Sequence, residues 1–324
     1  MQSRADGRRL EPSKGELRWL LDSDPAIRWQ VMQDLAGEPP EAVAEARSRV
    51  AFEGWGARLL VLQGPDGRWG GTADDEPPYV YTTNALVLLK EMGVDPTSAP
   101  ARRAIERVKE RVTWKPLGGR PFFGGEVEPC INGRILAAGA YFGEENAGLV
   151  DRLLSEQLPD GGWNCEPSRR SSFHTTICVL EGLLEYEKAN GSAPAVSDAR
   201  ARAHEYLLER RMMYSLSTGK LIDKSWTLFV FPTTWHYHVL RGLDYLRSAG
   251  VEPDERAREA VLLVQRRQHQ NGRWPAGKPH PDSIDFDVEA PRGTASRWNT
   301  LRAYRVLGWG GDLIAGASEG RKHA

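Results

Sequence analysis

The residues with the most chemistry per position are Glu128-Pro129-Cys130, Cys165 and His174. Cys130 opens one apolar helical run. His174, in Ser171-Ser172-Phe173-His174-Thr175, opens the next such run at the same register. Where such runs are stacked repeats, equivalent positions of consecutive copies face a shared gap. A thiolate, an imidazole and a carboxylate would then meet, a set that zinc takes in tetrahedral sites, often with one position left open. A helix N-terminus would also favour the thiolate form of Cys130. Cys165 lies two residues after Trp163, in the loop leading to His174. As a fourth ligand it would close the site, and closure separates a structural zinc from a catalytic one. A plainer reading stands beside this one, with Cys130 as a small buried side chain and His174 as a partner of a helix cap.

Further candidates cluster near other helix starts. His236 and His238 sit in Thr233-Thr234-Trp235-His236-Tyr237-His238, which reads as the opening of a helix. Two residues apart on a helix means about 200° around the axis, so one metal cannot take both. His236, nearer the start, is the one expected to face a cavity. Tyr81, Phe173, Trp235 and Trp298 would suit the wall of a cavity holding an apolar chain and would steady a carbocation through cation–π attraction. Plain core packing explains them equally well. Arg134 and Arg170, with Arg169, Lys224 and Arg297, are candidates for a phosphate clamp, since guanidinium pairs bidentately with phosphate oxygens. No Gly-rich phosphate loop accompanies them. Cys178, in mid-helix, reads as core. His204, on a charged outer helix, reads as solvated.

The elements that must position these groups are announced by repetition. A helix-like apolar run, a glutamine, a Gly turn and a tryptophan recur in LLVLQGPDGRWGG from Leu59, LLSEQLPDGGWNCE from Leu153 and VLLVQRRQHQNGRWPAG from Val261. Asp-Gly and Asn-Gly permit positive φ and turn the chain sharply after the helix. The returning Trp can then lie on the end of that helix with its N–H near a glutamine or backbone acceptor. Gln63, Trp69, Gln157, Trp163, Gln265 and Trp274 are therefore expected to fasten neighbouring units and not to do chemistry. Second helices can be overlaid from Tyr81, Cys130, His174, Thr234 and Trp298, giving about five helix pairs, two of them with longer loops.

Before the repeats, residues 1–48 read as a disordered leader and a short helical extension, with Asp24 before Pro25 as a helix start. The extension would pack on the repeats or close one mouth of their cavity. The repeats occupy 49–315, and 316–324 read as a flexible tail. Forty-three Lys and Arg against 44 Asp and Glu leave a formal net charge of −1, which speaks against a nucleic-acid partner. Three scattered cysteines are no disulfide framework and suit a reducing, cytoplasmic setting. The polar start shows no signal-peptide core, and no run is long and apolar enough for a transmembrane segment.

The repeated phrase resembles the QW motif of squalene and oxidosqualene cyclases, which also recurs in protein prenyltransferase β subunits. The resemblance covers roughly residues 50–312. It implies an all-α fold, an α/α toroid of the α6/α6-barrel kind, with inner helices around a central cavity. The cyclase acid motif, Asp-x-Asp-Asp, is not found. The nearest string is Asp285-Phe286-Asp287-Val288-Glu289, in a Pro-flanked loop. The zinc pattern of prenyltransferase β subunits fits better, with Cys130 in the thiolate position, His174 in the imidazole position and Glu128 where that family has Asp. By resemblance the chain is then an isoprenoid-active enzyme whose zinc activates a nucleophile in an aromatic-lined cavity. Prenyltransferases of this kind use a separate α subunit, which nothing here supplies. Two alternatives remain. One is a metal-free cyclase drawing acid from Asp285 or Asp287, with His236 at its cavity. The other is a non-catalytic binding or scaffold toroid whose metal is structural.

Overall fold

The computed structural model describes residues 10–70, 78–144, 147–281, 286–288 and 291–315. Six inner helices form its ring: α2 (Pro25–Val31), α5 (Pro78–Met92), α7 (Pro129–Phe142), α9 (Phe173–Asn190), α11 (Val239–Ser248) and α13 (Arg297–Gly310). Helix α7 packs on α5 and on α9, and α11 packs on α13. An ion pair between Glu181 and Arg241 joins α9 to α11. The ring closes through α2. It packs on α13 and reaches α5 through Trp29 Nε1–H to the Met92 carbonyl (2.8 Å) and Gln30 Nε2–H to the Glu91 carbonyl (3.1 Å). The sequence reads α2 as part of an extension beside about five pairs. With α1 (Lys14–Leu21) it makes a sixth pair of the all-α toroid.

The outer layer is α1, α4 (Gly54–Val61), α6 (Ala99–Arg111), α8 (Ala147–Ser155), α10 (Pro194–Glu209) and α12 (Arg258–Arg266), with α3 (Pro40–Ser48) and α14 (Asp312–Ala315) as additions. Burial follows position. Helix α6 buries Ala101, Ala104, Ile105 and Val108, one stripe at helical spacing. Helix α7, enclosed by neighbours, buries most of its residues. Among the described residues the strands are only two short antiparallel ladders, Thr113–Trp114 with Arg120–Pro121 and Trp274–Pro275 with Ala295–Ser296.

The repeated phrase is the fastening between units. Trp69, Trp163 and Trp274 are fully buried, and each indole N–H donates 2.7 Å to a backbone carbonyl of its own outer helix: Leu59, Leu153 and Val264. The backbone N–H of Trp163 and Trp274 donates to Thr176 and Thr300 on the following inner helix, at 3.0 and 3.1 Å. Gly67 and Gly161 adopt positive φ, and a Cβ there would strike the Arg107 or Arg202 carbonyl of the next outer helix. Gln63 and Gln157 bridge the same gap, each donating to that glycine's carbonyl and to Ala104 or Ala199.

In the third copy the bridging residue is Gln268, not Gln265. Gln268 donates to the Gly272 carbonyl and to Tyr304 Oη, and Tyr304 Oη in turn donates to Glu16 on α1. The reason is spacing: Gln63, Gln157 and Gln268 each precede their glycine by four residues and their Trp by six. Gln268→Ala should therefore cost about 1 kcal/mol of unfolding free energy, and Gln265→Ala under about 0.5 kcal/mol. Urea denaturation of both variants checks the assignment, and equal costs would refute it.

Two local features shape the lumen. Helices α7 and α9 approach closely at Gly133 and Gly182, where a Cβ on either would lie 2.5 Å or less from a backbone oxygen of the other helix. Helix α11 starts at Val239, not at Thr234 as the sequence suggests. Thr234 has φ 47°, a left-handed conformation that a helix start cannot absorb, and His238 is the N-cap, accepting from the Arg241 N–H at Nδ1. The chain ahead of it enters the ring. Phe231 stacks on Trp298 with centroids 4.1 Å apart, and the Phe229 carbonyl accepts from Asn299 Nδ2 and the Gly277 N–H.

Candidate functional site

With α13's side of the lumen filled, a cavity of about 670 Å³ remains at the N-terminal ends of α5, α7 and α9. Val80, Tyr81, Ile131 and Trp235 give it an apolar and aromatic wall, and Arg134 is the one cationic side chain among its described lining residues. Glu128, Cys130, Cys165 and His174 all reach it. A larger surface depression of about 740 Å³, bordered by Gln33, Arg47 and Asp95, gathers no comparable donor set.

Cys130 sits in the first turn of α7, behind Pro129, and Cys165 comes in from the loop that Trp163 anchors. Their sulfurs are 2.7 Å apart, inside ordinary sulfur–sulfur contact and beyond the ~2.05 Å of a disulfide. Cys130 Sγ donates to Glu128 Oε2 at 3.5 Å. Cys165 Sγ receives the Cys130 backbone N–H and the Thr175 hydroxyl, both at 3.4 Å. The hydrogen bond with Cys130 lowers the Cys165 thiol's pKa. The same bond, then burial, raises that of Cys130. The donor atoms of Glu128, Cys130 and Cys165 all lie within 4.8 Å of one another, the only such group among the described residues.

His174 is in the cavity wall but outside that group. Its Nδ1 accepts the Tyr237 backbone N–H at 2.8 Å, and its ring meets Trp226, Trp235 and His236 edge-on. Burial, then the Arg241 charge, lowers its pKa to about 4. A neutral imidazole that accepts at Nδ1 carries its proton on Nε2, so neither nitrogen has a lone pair for a metal. His174 thus stands apart from the group the sequence expects it to join, and of the four expected ligands Glu128, Cys130 and Cys165 are the ones brought together.

Tyr81, Trp235 and Arg134 line the cavity. Phe173 does not: it is buried between Tyr206, Trp226 and Tyr237. Trp298 does not either, because Phe231 covers it. Arg170 is exposed on the loop before α9 and is not itself a lining residue, though its carbonyl accepts from the wall residue Asn164 at 2.8 Å. His236 stands outside the lining, stacked between Trp235 and His280 (3.9 and 3.6 Å), with Nδ1 bonded to Thr234 Oγ1. Asp287 is exposed and is not among the lining residues; its neighbour Phe286 lies under the Arg58 guanidinium. Asp285 falls outside the described residues. His204 is half-buried against Tyr245 Oη (3.0 Å), not solvated. The sequence reading missed Thr175 and Asn164 in the wall. A signal existed, since Thr176 and Thr300, which hold Trp163 and Trp274, fix the register of the inner helices.

Fold and site together define an α/α toroid with a cavity at the helix starts and a Cys-Cys-Glu cluster at its wall. Searches for similar proteins give neither a matching family model nor a matching curated protein. Solved structures of similar overall shape include a protein from Actinoplanes, 18% identical, with 89% of this chain and 90% of that chain covered and a TM-score of 0.46. They also include the type II terpene cyclase MstE from Scytonema, 15% identical over 88% of each chain, TM-score 0.44. A variant of the same cyclase in complex with geranylgeranyl dihydroxybenzoate is 16% identical, covers 88% and 86%, and has a TM-score of 0.42. No helix among the described residues is long and apolar enough to cross a membrane.

Proposed function

We propose that this chain is an enzyme that takes an apolar, isoprenoid-like small molecule into the cavity beside α5, α7 and α9, with a zinc ion held by Glu128, Cys130 and Cys165. The observation that carries the reading is the convergence of two thiols and a carboxylate inside an apolar, aromatic-walled cavity. The isoprenoid character of the ligand is what the QW-type phrases imply, and Val80, Ile131, Tyr81 and Trp235 suit it.

The donor set fits zinc. Two soft sulfurs and a hard oxygen are a common ligand mixture for it. The bond with Cys165 and burial hold the Cys130 thiol protonated, and a divalent cation would favour its ionisation. Three protein ligands leave a position open, the arrangement of catalytic sites. Bound there, zinc would supply Lewis-acid chemistry and favour ionisation of an oxygen or sulfur nucleophile at neutral pH. The chain's own groups orient and shield. Thr175 and the Cys130 N–H hold Cys165 Sγ in place, and Trp235 and Tyr81 cover the site with apolar surface.

The test is metal content of the purified full chain, wild type against Cys130→Ala and Cys165→Ala. Stoichiometric zinc is expected in the wild type and a loss of at least about tenfold in affinity in either variant. Equal zinc in all three proteins, or none in any, ends the metal reading. His174→Gln should keep the zinc, and its loss there would restore His174 as a ligand.

A further inference from the structure

We propose that His174 is a fixed hydrogen-bond donor in the cavity, whose Nε2–H receives a carbonyl or carboxylate oxygen at the polar end of the apolar ligand. The inference rests on the apolar-ligand reading above and adds the head-group chemistry. It starts from a contact 63 residues long in sequence. The Tyr237 backbone N–H points at His174 Nδ1 from 2.8 Å. A backbone N–H can only donate, so it excludes a proton on Nδ1 and dictates the Nε2–H tautomer.

Aromatic rings pack around the imidazole. Trp226 and Trp235 meet it edge-on at centroid distances of 5.6 and 5.2 Å, and His236 lies at 5.9 Å. Among the described residues the Nδ1 contact is its one hydrogen bond, and Nε2 is not among the sealed polar atoms. The residue borders the 670 Å³ cavity, so its remaining N–H is offered there.

The other lining charges narrow the acceptor. Glu128 and Glu166 are carboxylates and Arg134 is the single cation among the described lining residues. That balance is poor for a multiply charged diphosphate and adequate for a neutral carbonyl or one carboxylate. A neutral imidazole N–H donates to either without bringing a charge of its own into an apolar chamber, and water is replaced by a donor already oriented.

The first measurement is a long-range 15N–1H correlation of the histidine side chains in the full-length labelled protein at pH 7. The His174 signals are identified by their absence in His174→Gln. The neutral Nε2–H pattern is expected; an Nδ1–H pattern or an imidazolium overturns the proposal. The second compares binding of farnesylacetone, an acceptor-only ketone, with the hydrocarbon farnesene. Wild type should prefer the ketone about tenfold. His174→Leu should erase the preference, and His174→Gln, which returns an N–H near the Nε2 position, should restore most of it. A ketone preference unchanged in His174→Leu overturns the proposal. Wild type that takes up neither probe overturns the apolar-ligand reading and the head-group assignment with it, while the tautomer spectrum still decides what His174 donates.

Discussion

Trp163→Ala is expected to lower the unfolding free energy by about 3–5 kcal/mol, the range for removing a fully buried large aromatic. The cost has two parts that a second variant separates. Trp163→Phe keeps most of the ring volume but leaves the Leu153 carbonyl, now 2.7 Å from the indole N–H, without its partner, at about 1–3 kcal/mol. Both are measured by urea denaturation. A free-energy change near zero for the Phe variant would show that packing alone holds the joint. Trp69→Ala and Trp274→Ala should behave alike, since each repeats the same bond at the same distance. The Trp163 variant has one consequence the others lack: its loop carries Cys165, two residues on. It should therefore also weaken zinc binding, whereas the Trp274 variant at comparable stability should not.

The joints were legible in the sequence because they are local. Gln, Gly and Trp stand four and two residues apart, and the turn needs a positive φ that Gly supplies. The sequence points to Gln265 in place of Gln268 because an apolar helix followed by a glutamine describes both, and only the distance to Gly272 separates them. The sixth pair was not legible. Helix α2 carries no such phrase, and its place in the ring is set by Trp29 and Gln30 reaching carbonyls more than sixty residues away. At the site, the shared register of Cys130 and His174 brought both to one cavity. The fate of the imidazole, however, depends on the Tyr237 N–H, which only the folded chain presents. Phe173 and Trp298 failed as wall residues for a different reason. Their helix-start positions do face inward, but Trp226, Phe231 and Tyr237 from the long connection before α11 occupy that space. Loop length announced the insertion without saying that it would fold into the lumen.

That inserted segment leans on a buried ion pair, and the pair gives the second large effect. Arg241 on α11 grips Glu181 on α9 with two bonds, Nε to Oε1 at 2.9 Å and Nη2 to Oε2 at 2.7 Å, while Nη1 donates to the His236 carbonyl at 2.7 Å. The Arg241 side chain is 3% exposed. Arg241→Met strands the carboxylate and is expected to cost about 3–5 kcal/mol, and Arg241→Met with Glu181→Met should recover most of that loss. The sign with pH follows from the carboxylate. Burial by itself would raise the Glu181 pKa, but the Arg241 charge and hydrogen bonds outweigh it and leave it below the ordinary 4.5. A group lowered on folding stabilises above its unfolded pKa and loses that contribution as pH falls through the folded value. Wild type should therefore weaken below pH 4.5. In Arg241→Met the carboxylate keeps only the Lys90 and Arg302 charges against burial, so it takes up its proton more readily in the folded state than in wild type. The gap between wild type and variant should be widest at pH 7 and narrow steadily toward acid. A gap that stays constant from pH 7 to pH 4 in denaturation experiments would mean that Arg241 acts through its packing and its bond to His236, and not through Glu181.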